Sequence, residues 1–105
     1  MNYNYLIYDN GTHLVFKFGD GFQVLDYVFE EMSDSGRPFF KKYIERVLFG
    51  ESDFEEIDKN MCGMEIKKDY TLIYPTHDLD DSDEITIETK YLLELINIWV
   101  EENKL

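Results

Sequence analysis

The chain opens with two short runs of aromatic and branched side chains separated by a polar turn. The runs cover residues 3–8 and 13–18, and residues 9–12 lie between them. Because Asn10 and Gly11 both tolerate the positive φ that a type I′ turn demands, the pattern predicts a β-hairpin. Alternate positions of the second run are apolar and predict one buried strand face: Leu14, Phe16 and Phe18.

The next stretch has the spacing of an amphipathic helix. Asp20 is the expected N-cap, Gln23 is placed to reach back to it, and residues 33–36 are the expected end of the helix. Apolar side chains recur at the i, i+3, i+4, i+7 spacing of one helix face. They are Leu25, Val28, Phe29 and Met32.

A second helix is predicted to open at Pro38, a favoured first-turn residue, and to end at Gly50. Its apolar stripe is Phe40, Tyr43, Ile44, Val47 and Leu48. Its outer face carries the one basic group that stands out in the sequence, at Lys41, Lys42 and Arg46. We expect the two helices to form a helical hairpin packed on the sheet.

The second half of the chain reads mainly as short strands. Residues 53–58 do not alternate cleanly and fit either a strand or a loop. Residues 64–66 and 70–74 alternate around Lys68-Asp69, which predicts a second hairpin. After Pro75 and a polar, acidic loop at 76–83, Ile85 and Ile87 predict one more short strand. We expect the aromatic stripes, at strand spacing as at helical spacing, to belong to the core.

A final helix is predicted from Thr89, its expected cap, onwards. Its apolar residues cover so much of the circumference that the helix should pack on more than one side: Tyr91, Leu92, Leu93, Leu95, Ile96, Ile98, Trp99 and Val100. The predicted order is β-β-α-α-β-β-β-α, with an extra strand near 54–58 left open. We therefore expect one α+β domain over residues 1–105, with a mainly antiparallel sheet and helices packed on it.

Charge adds an asymmetry to this picture. The chain of 105 residues has a formal net charge of −13. Residues 1–50 carry seven acids and five bases, a balance of −2, and residues 51–105 carry sixteen acids and five bases, a balance of −11. Such a surface repels nucleic acid and anionic membranes and attracts basic proteins. The acidic half is then either a solubility device or a binding face. Its acids fall into two clusters, in residues 51–58 and 78–88, and this clustering favours a binding face.

Several features bear on where the protein acts. Cys62 is the single cysteine, so an intrachain disulfide is excluded, as is typical of a reducing compartment. No basic and apolar leader pattern is visible at the N-terminus, and no apolar run approaches the roughly 18 residues of a membrane span. We expect a cytoplasmic protein without membrane association.

Three catalytic or metal-binding interpretations compete with binding. A calcium loop starting at Asp78 lacks the required Gly at position 6 and Glu at position 12. A magnesium nuclease pattern would combine Asp78 with Glu88 and Lys90, but a helix start at Thr89 would point Lys90 away from Glu88. Cys62 in an apolar context is expected to be a small buried side chain. We therefore predict no enzyme activity, no metal and no cofactor.

The predicted binding residues lie in the two acidic clusters and beside them. A basic partner would be steered by the carboxylates and held by neighbouring aromatic contacts. The candidates are Tyr74, His77, Asp78, Asp80, Asp81, Asp83 and Glu84 around the acidic loop, with Glu55, Glu56 and Asp58 in the earlier cluster. A homodimer through the apolar last helix is an alternative use of the surface.

The C-terminal segment, residues 84–103, resembles a recurrent ending of bacterial immunity proteins. It joins a short strand to a Leu/Trp-rich amphipathic helix that frays at Glu101, Glu102 and Lys104. Together with small size and acidity, this is similar to immunity proteins of polymorphic toxin systems, including contact-dependent growth inhibition. The resemblance implies binding and neutralisation of a cognate basic toxin, often a nuclease. Alternatives are an acidic mimic of nucleic acid that inhibits a DNA-binding effector, and a small metal-dependent hydrolase.

Overall fold

The computed structural model describes residues 4–19, 21–76 and 83–105, which form three helices and two antiparallel sheets. The predicted α+β class and the predicted element order are confirmed. The segment that the sequence left open is strand β3. In chain order the elements are β1 (Leu6–Asp9), β2 (Leu14–Lys17), α1 (Gln23–Ser35), α2 (Lys41–Leu48), β3 (Glu55–Asp58), β4 (Cys62–Ile66), β5 (Tyr70–Pro75), β6 (Ile85–Glu88) and α3 (Thr89–Glu102).

Strands β1 and β2 form the predicted hairpin, but the turn lies one residue later than expected. Asn10 and His13 close it, with the Asn10 N–H donating to the His13 carbonyl oxygen at 3.0 Å. Gly11, the first central residue, has φ +98°, whereas neither Asn10 nor Thr12 has a positive φ. A positive φ at the first central position alone is the type II′ pattern. The predicted type I′ turn is therefore wrong.

Helix α1 buries its predicted stripe and ends where the sequence indicates. Gly36, in the left-handed region at φ +72°, closes the helix by donating its N–H to the Met32 carbonyl oxygen at 2.8 Å. The start differs from the prediction, because the N-cap is Phe22 and no side chain caps the helix. The predicted N-cap, Asp20, lies outside the described residues.

Helix α2 begins three residues later than predicted. The Lys41 N–H donates to the Pro38 carbonyl oxygen at 2.9 Å, so Pro38 opens a turn rather than the helix itself. The helix packs against α3 and β3, while α1 packs mainly on β2. The expected pairing of α1 with α2 is thus replaced by a pairing of α2 with α3.

The remaining strands form a four-stranded antiparallel sheet in the order β3-β4-β5-β6. The strands of the chain are therefore divided between two sheets instead of sharing one. Paired residues in an antiparallel sheet point to the same face, and the pairs Ile57–Met64, Met64–Ile73 and Ile73–Ile85 place these side chains on the helix-covered side. Met64 and Ile73 are fully buried there.

Helix α3 follows β6 without a loop. Its N-cap is Glu88, and Thr89 is the first helical residue, so the predicted cap at Thr89 is wrong. The buried Thr89 hydroxyl instead donates to the Lys67 carbonyl oxygen at 2.5 Å and lies 2.8 Å from the Thr71 hydroxyl. These bonds fix the start of the helix against the turn between β4 and β5. Leu92, Leu95, Ile96 and Trp99 then enter the core.

Strand β2 is held from the side opposite β1 by side chains of two helices. The Leu14 carbonyl oxygen accepts hydrogen bonds from the Trp99 indole N–H at 2.7 Å and from the Ser33 hydroxyl at 2.9 Å. The Leu14 N–H donates to the Asn103 side-chain oxygen at 2.7 Å. A buried backbone group without a partner would be costly, so these side chains replace a missing neighbouring strand.

A buried carboxylate ties α1 to the four-stranded sheet. The Oε1 atom of Glu31 accepts the backbone N–H groups of Met61 at 2.5 Å and Cys62 at 2.9 Å. Cys62 is fully buried, as predicted. Its burial, followed by the charge and hydrogen bond of Glu31, raises the pKa of the thiol far above its usual range. A neutral thiol is a poor nucleophile, which agrees with a packing role for Cys62.

Candidate partner-binding face

The four-stranded sheet has one face packed against the helices and an opposite face whose side chains reach solvent. We call the second the outer face. It follows from the register, because residues that alternate with the buried positions point away from the core. The outer face consists of Glu56, Asp58, Gly63, Glu65, Tyr70, Leu72, Tyr74, Thr86 and Glu88.

The middle row of the outer face places two glutamates at directly opposite backbone positions. Glu56 pairs with Glu65, Glu65 with Leu72, and Leu72 with Thr86. Like charges directly opposite each other destabilise a sheet. The Glu56–Glu65 pair is therefore unfavourable in the isolated protein, and a cation placed between the two carboxylates would remove the repulsion.

The neighbouring row holds a tyrosine over a glycine. Asp58 pairs with Gly63, and Gly63 pairs with Tyr74. The Tyr74 hydroxyl donates to the Asp58 carboxylate across the glycine. A Cβ at position 63 would lie 2.4 Å from the Asp58 carboxylate oxygen and 2.6 Å from the Tyr74 ring. Only glycine leaves room for this arrangement, in which an aromatic ring covers a glycine of the adjacent strand.

The phenol of Tyr74 is held in its neutral form. Burial raises the pKa of Tyr74 far above its usual range, and the hydrogen bond to Asp58 together with the charges of Asp58, Glu56 and Glu65 raises it further. The phenol therefore stays a hydrogen-bond donor to Asp58 even at alkaline pH where an ordinary tyrosine ionises.

Further along the sheet the outer face is aromatic and acidic at once. Tyr70 pairs with Glu88 at the end of the sheet nearest α3, and 56% of Tyr70 is exposed. The expectation that the aromatic stripe of this strand belongs to the core is wrong, because Thr71 and Ile73 are buried while Tyr70, Leu72 and Tyr74 point outward. The strand positions of the outer face carry four carboxylates and no base.

The predicted binding residues are distributed over several places. Glu56, Asp58 and Tyr74 lie on the outer face. Glu55 points to the opposite face, 3.7 Å from the Arg46 guanidinium. The remaining candidates belong to the acidic loop: Glu84 is exposed and Asp83 half-buried just before β6, while His77, Asp78, Asp80 and Asp81 lie outside the described residues.

Sequence reasoning missed Glu65, Tyr70, Leu72 and Glu88 as members of the same face. The signal was the alternation of β4 and β5, but alternation gives two faces without saying which is buried. In β5 the larger side chains point outward, which inverts the usual rule that the bulkier apolar set marks the core. The pairing of β5 with both β4 and β6 settles the orientation.

The basic group of the sequence lies away from the outer face. Lys42 and Arg46 on α2 rest near the Tyr43 ring, 5.1 Å and 5.3 Å from its centre. Helix α2 packs on the helix-covered side of the sheet. The basic group of α2 therefore does not offset the carboxylates of the outer face.

The positions of the acidic side chains also bear on the competing metal and nuclease interpretations. Within residues 4–19, 21–76 and 83–105, no three His, Cys, Asp or Glu side chains are grouped so that they could hold a metal ion. Glu88 ends β6, whereas Lys90 lies in α3, so the two do not share a strand. Asp78, the third member of that pattern, lies outside the described residues, as does most of the calcium-loop candidate.

The lengths and compositions of the described helices bear on membrane insertion. Each of them is too short or too polar to cross a membrane.

Comparison with known proteins places the chain near one bacterial protein. No protein-family model matches the chain, and no solved structure matches it. Over 62 residues, 58% of this chain, it is 37% identical to a protein of Bacillus cereus named "Immunity protein". The match covers 53% of that protein, so the chain spans about half the length of the relative it matches. The similarity agrees with the resemblance found in the C-terminal strand and helix.

Proposed function

We propose that this chain is an immunity protein that binds and neutralises a cognate bacterial toxin domain. The observation that carries the proposal is the 37% identity over 62 residues to a protein named "Immunity protein". The resemblance of the C-terminal strand and helix to bacterial immunity proteins supports the same proposal. Inhibition in this proposal is by binding alone, in the cytoplasm of the producing cell, and needs no catalytic group.

The outer face is the proposed contact surface. Four carboxylates at Glu56, Asp58, Glu65 and Glu88 provide attraction for a basic partner, and complementary charge raises association rates by orders of magnitude. The exposed ring of Tyr70 and the side of Leu72 provide apolar area between the charges. Tyr is enriched among residues that dominate binding energies because its ring is large and rigid.

The unfavourable carboxylate pair supports the same assignment. Glu56 and Glu65 face each other directly, at a cost to the stability of the free protein. A Lys or Arg side chain of the partner would lie between them and convert the repulsion into two ion pairs. The fixed Tyr74–Asp58 pair adds an acceptor whose position is set before binding, so less freedom is lost in the complex.

A nuclease is the toxin class that fits this surface best. Nucleases present basic side chains that bind the phosphates of their substrate, and a rigid array of carboxylates can take the positions of those phosphates. Residues 78–84, predicted as the focus of binding, would add further carboxylates to the contact. A mimic of nucleic acid would use the same face on a different partner, and competition with DNA distinguishes the two.

The proposal is tested by co-expressing this chain in a sensitive host with the candidate toxic domain found by sequencing the neighbouring genes. Growth rescue and a purified 1:1 assembly are expected. Lack of rescue together with lack of binding would refute the immunity function. The mimic would be favoured instead if this chain bound a DNA-binding protein that is not toxic and if double-stranded DNA competed with the chain for that protein.

The location of the contact is tested by charge reversal, with a control variant that makes the same change in net charge. Glu56→Lys with Glu65→Lys should slow association about 10- to 100-fold at low salt. The matched control, Glu94→Lys with Glu101→Lys, makes the same charge change at exposed positions of α3 and should change the rate less than about 3-fold. If both double variants slowed association equally, the contact would not lie on the outer face. Reversal of Asp80, Asp81 and Asp83 then measures the contribution of the loop.

A further inference from the structure

Strand β1 is exposed along its whole length, unlike every other described strand. Leu6, Ile7 and Tyr8 are 64%, 45% and 51% exposed. Three consecutive apolar side chains in a strand normally have at least one face covered. Among the described strands β2 alone pairs with β1, and β1 therefore forms the edge of the small sheet.

The direction of the backbone groups on this edge follows from the turn. The hydrogen bond from Asn10 to His13 makes those two residues a bonded pair. Bonded and non-bonded pairs alternate along an antiparallel ladder. With Asp9 opposite Leu14 and Ile7 opposite Phe16, the N–H and C=O groups of Asp9 and Ile7 point away from β2.

The β2 edge of the hairpin agrees with this direction of the backbone groups. Leu14, the partner of Asp9, also points its backbone groups outward, and these are bonded by Asn103, Trp99 and Ser33. On the β1 side, no group in residues 4–19, 21–76 or 83–105 bonds to the outward backbone groups of Ile7. On the β2 edge the outward backbone groups of Leu14 are bonded within the protein, whereas on the β1 edge those of Ile7 face solvent.

We propose that β1 pairs antiparallel with β1 of a second copy of this chain, so that two hairpins join into one four-stranded sheet. An edge with free N–H and C=O groups is complementary to another strand, and backbone bonds supply the affinity in such additions. The proposal concerns an assembly of the protein with itself and is independent of the proposed toxin contact.

The sequence of β1 is complementary to itself about Ile7. A two-fold axis at Ile7 places Leu6 opposite Tyr8 of the second copy and Tyr8 opposite Leu6, so that apolar side chains meet. Asp9 then lies opposite Tyr5 rather than opposite another Asp9. An isologous contact of this kind closes after two copies and leaves no edge for further addition.

Charge favours a second copy over a basic partner at this edge. Residues 4–19 carry one acid, Asp9, and one base, Lys17, in a chain whose net charge is −13. A basic toxin is not attracted to this neutral segment, whereas two acidic copies repel each other least where both are neutral. The homodimer expected through α3 is the weaker choice, since Trp99 faces the core and Ile98 is only 38% exposed.

The test is the association state of the purified chain, measured by sedimentation velocity over a wide concentration range. We expect a reversible dimer for the unchanged protein and a monomer for Ile7→Lys, which places two like charges at the axis. Ile98→Lys is the matched control and should still dimerise. A monomeric unchanged protein at the highest concentration, or a dimer lost through Ile98→Lys but not through Ile7→Lys, overturns the proposal.

A second measurement covers the case in which Ile7→Lys disturbs folding. Amide exchange of Ile7 and Asp9 in the unchanged protein should slow at least roughly 10-fold when most of it is dimeric, because their N–H groups gain partners. The Tyr8 N–H already belongs to the β1–β2 ladder and is expected to change less. If the Ile7 amide exchanged at the same rate at concentrations where the protein is mainly monomeric and mainly dimeric, the dimer contact would not involve β1.

Discussion

The outer face of the four-stranded sheet and the free edge of β1 are both open to solvent, yet they offer different chemistry. The outer face presents side chains, with carboxylates at Glu56 and Glu65 set against the aromatic ring of Tyr70. The edge of β1 presents backbone groups flanked by Leu6 and Tyr8 and is close to neutral. Exposure alone therefore does not define a binding site, and the kind of group exposed decides the kind of partner.

Each open region is matched by a tightly bonded opposite side. Behind β1, the strand β2 is fixed by Asn103 and Trp99. Across the sheet from Glu56 and Glu65, buried side chains such as Met64 pack against the helices. An open surface can stay rigid when the other side of the same strands supplies the stability, which is what a preformed interface requires.

The largest effect is expected at the bonded side of the hairpin. Asn103→Ala removes the acceptor of the partly buried Leu14 N–H and should lower the free energy of unfolding by about 1–3 kcal/mol, because the donor is left without a partner. Asn97→Ala, at an exposed position of the same helix, is the control for helix propensity. Urea unfolding measures both. Similar losses for the two variants would contradict the contrast between the two edges of the hairpin.

The next effect concerns the organisation of the outer face. Gly63→Ala would push the Tyr74 ring and the Asp58 carboxylate apart, with an expected loss of about 1–2 kcal/mol. The pKa of Tyr74, followed by NMR of labelled tyrosine, should fall toward its usual range in the variant. In a Tyr74→Ala background the same substitution should cost clearly less. An undiminished loss in that background would show that the tyrosine is not what excludes a side chain at position 63.

Salt separates the two proposed contacts. Raising NaCl from about 50 mM to about 500 mM should weaken the toxin complex at least roughly 10-fold, since exposed charges are screened. Self-association through β1 should change less than about 3-fold, because neutral backbone and apolar groups carry it. Titration of both assemblies in the same buffers makes the measurement. A dimer as salt-sensitive as the toxin complex would mean that charged groups, not the neutral strand, hold it together.

The sequence predicts the elements well because most of them bury one regular stripe. Val28 and Ile44 sit at helical spacing and are buried as expected, and the hairpin of β4 and β5 follows from alternation. Local details failed at Thr89 and at the Asn10-Gly11 pair. The Thr89 hydroxyl bonds to the carbonyl of Lys67 instead of capping its helix. In the hairpin turn, the Asn10 side-chain oxygen accepts the N–H groups of Thr12 and His13, and the turn lies one residue later than predicted.

The candidate site was harder to predict than the fold. Glu56, Asp58 and Tyr74 were named from charge and proximity along the chain, and the register puts all three on one face. Glu65 and Tyr70 were missed because membership of a face depends on which strands pair, and pairing is not encoded in any one strand. The relation of Gly63 to Tyr74 is likewise visible only once β4 and β5 lie side by side.

The smallest expected effect is the pH dependence of the contact between α1 and the end of β2. Burial raises the pKa of Asp26 above 3.8, although the N–H of Phe18 and the charge of Lys17 oppose the shift. The folded state thus binds the proton more tightly than the unfolded state, so ionisation of Asp26 lowers stability as the pH rises from 3.8 through the raised pKa. Asp26→Asn keeps an acceptor for Phe18 without the charge. Its stability relative to the unchanged protein should therefore increase over that pH range and level off above it, as measured by urea unfolding, with Asp34→Asn on the same helix correcting for the loss of one negative charge. A relative stability that falls with pH would show that the bond to Phe18 and the charge of Lys17 outweigh burial, and that this side of the hairpin is held by the ionised carboxylate.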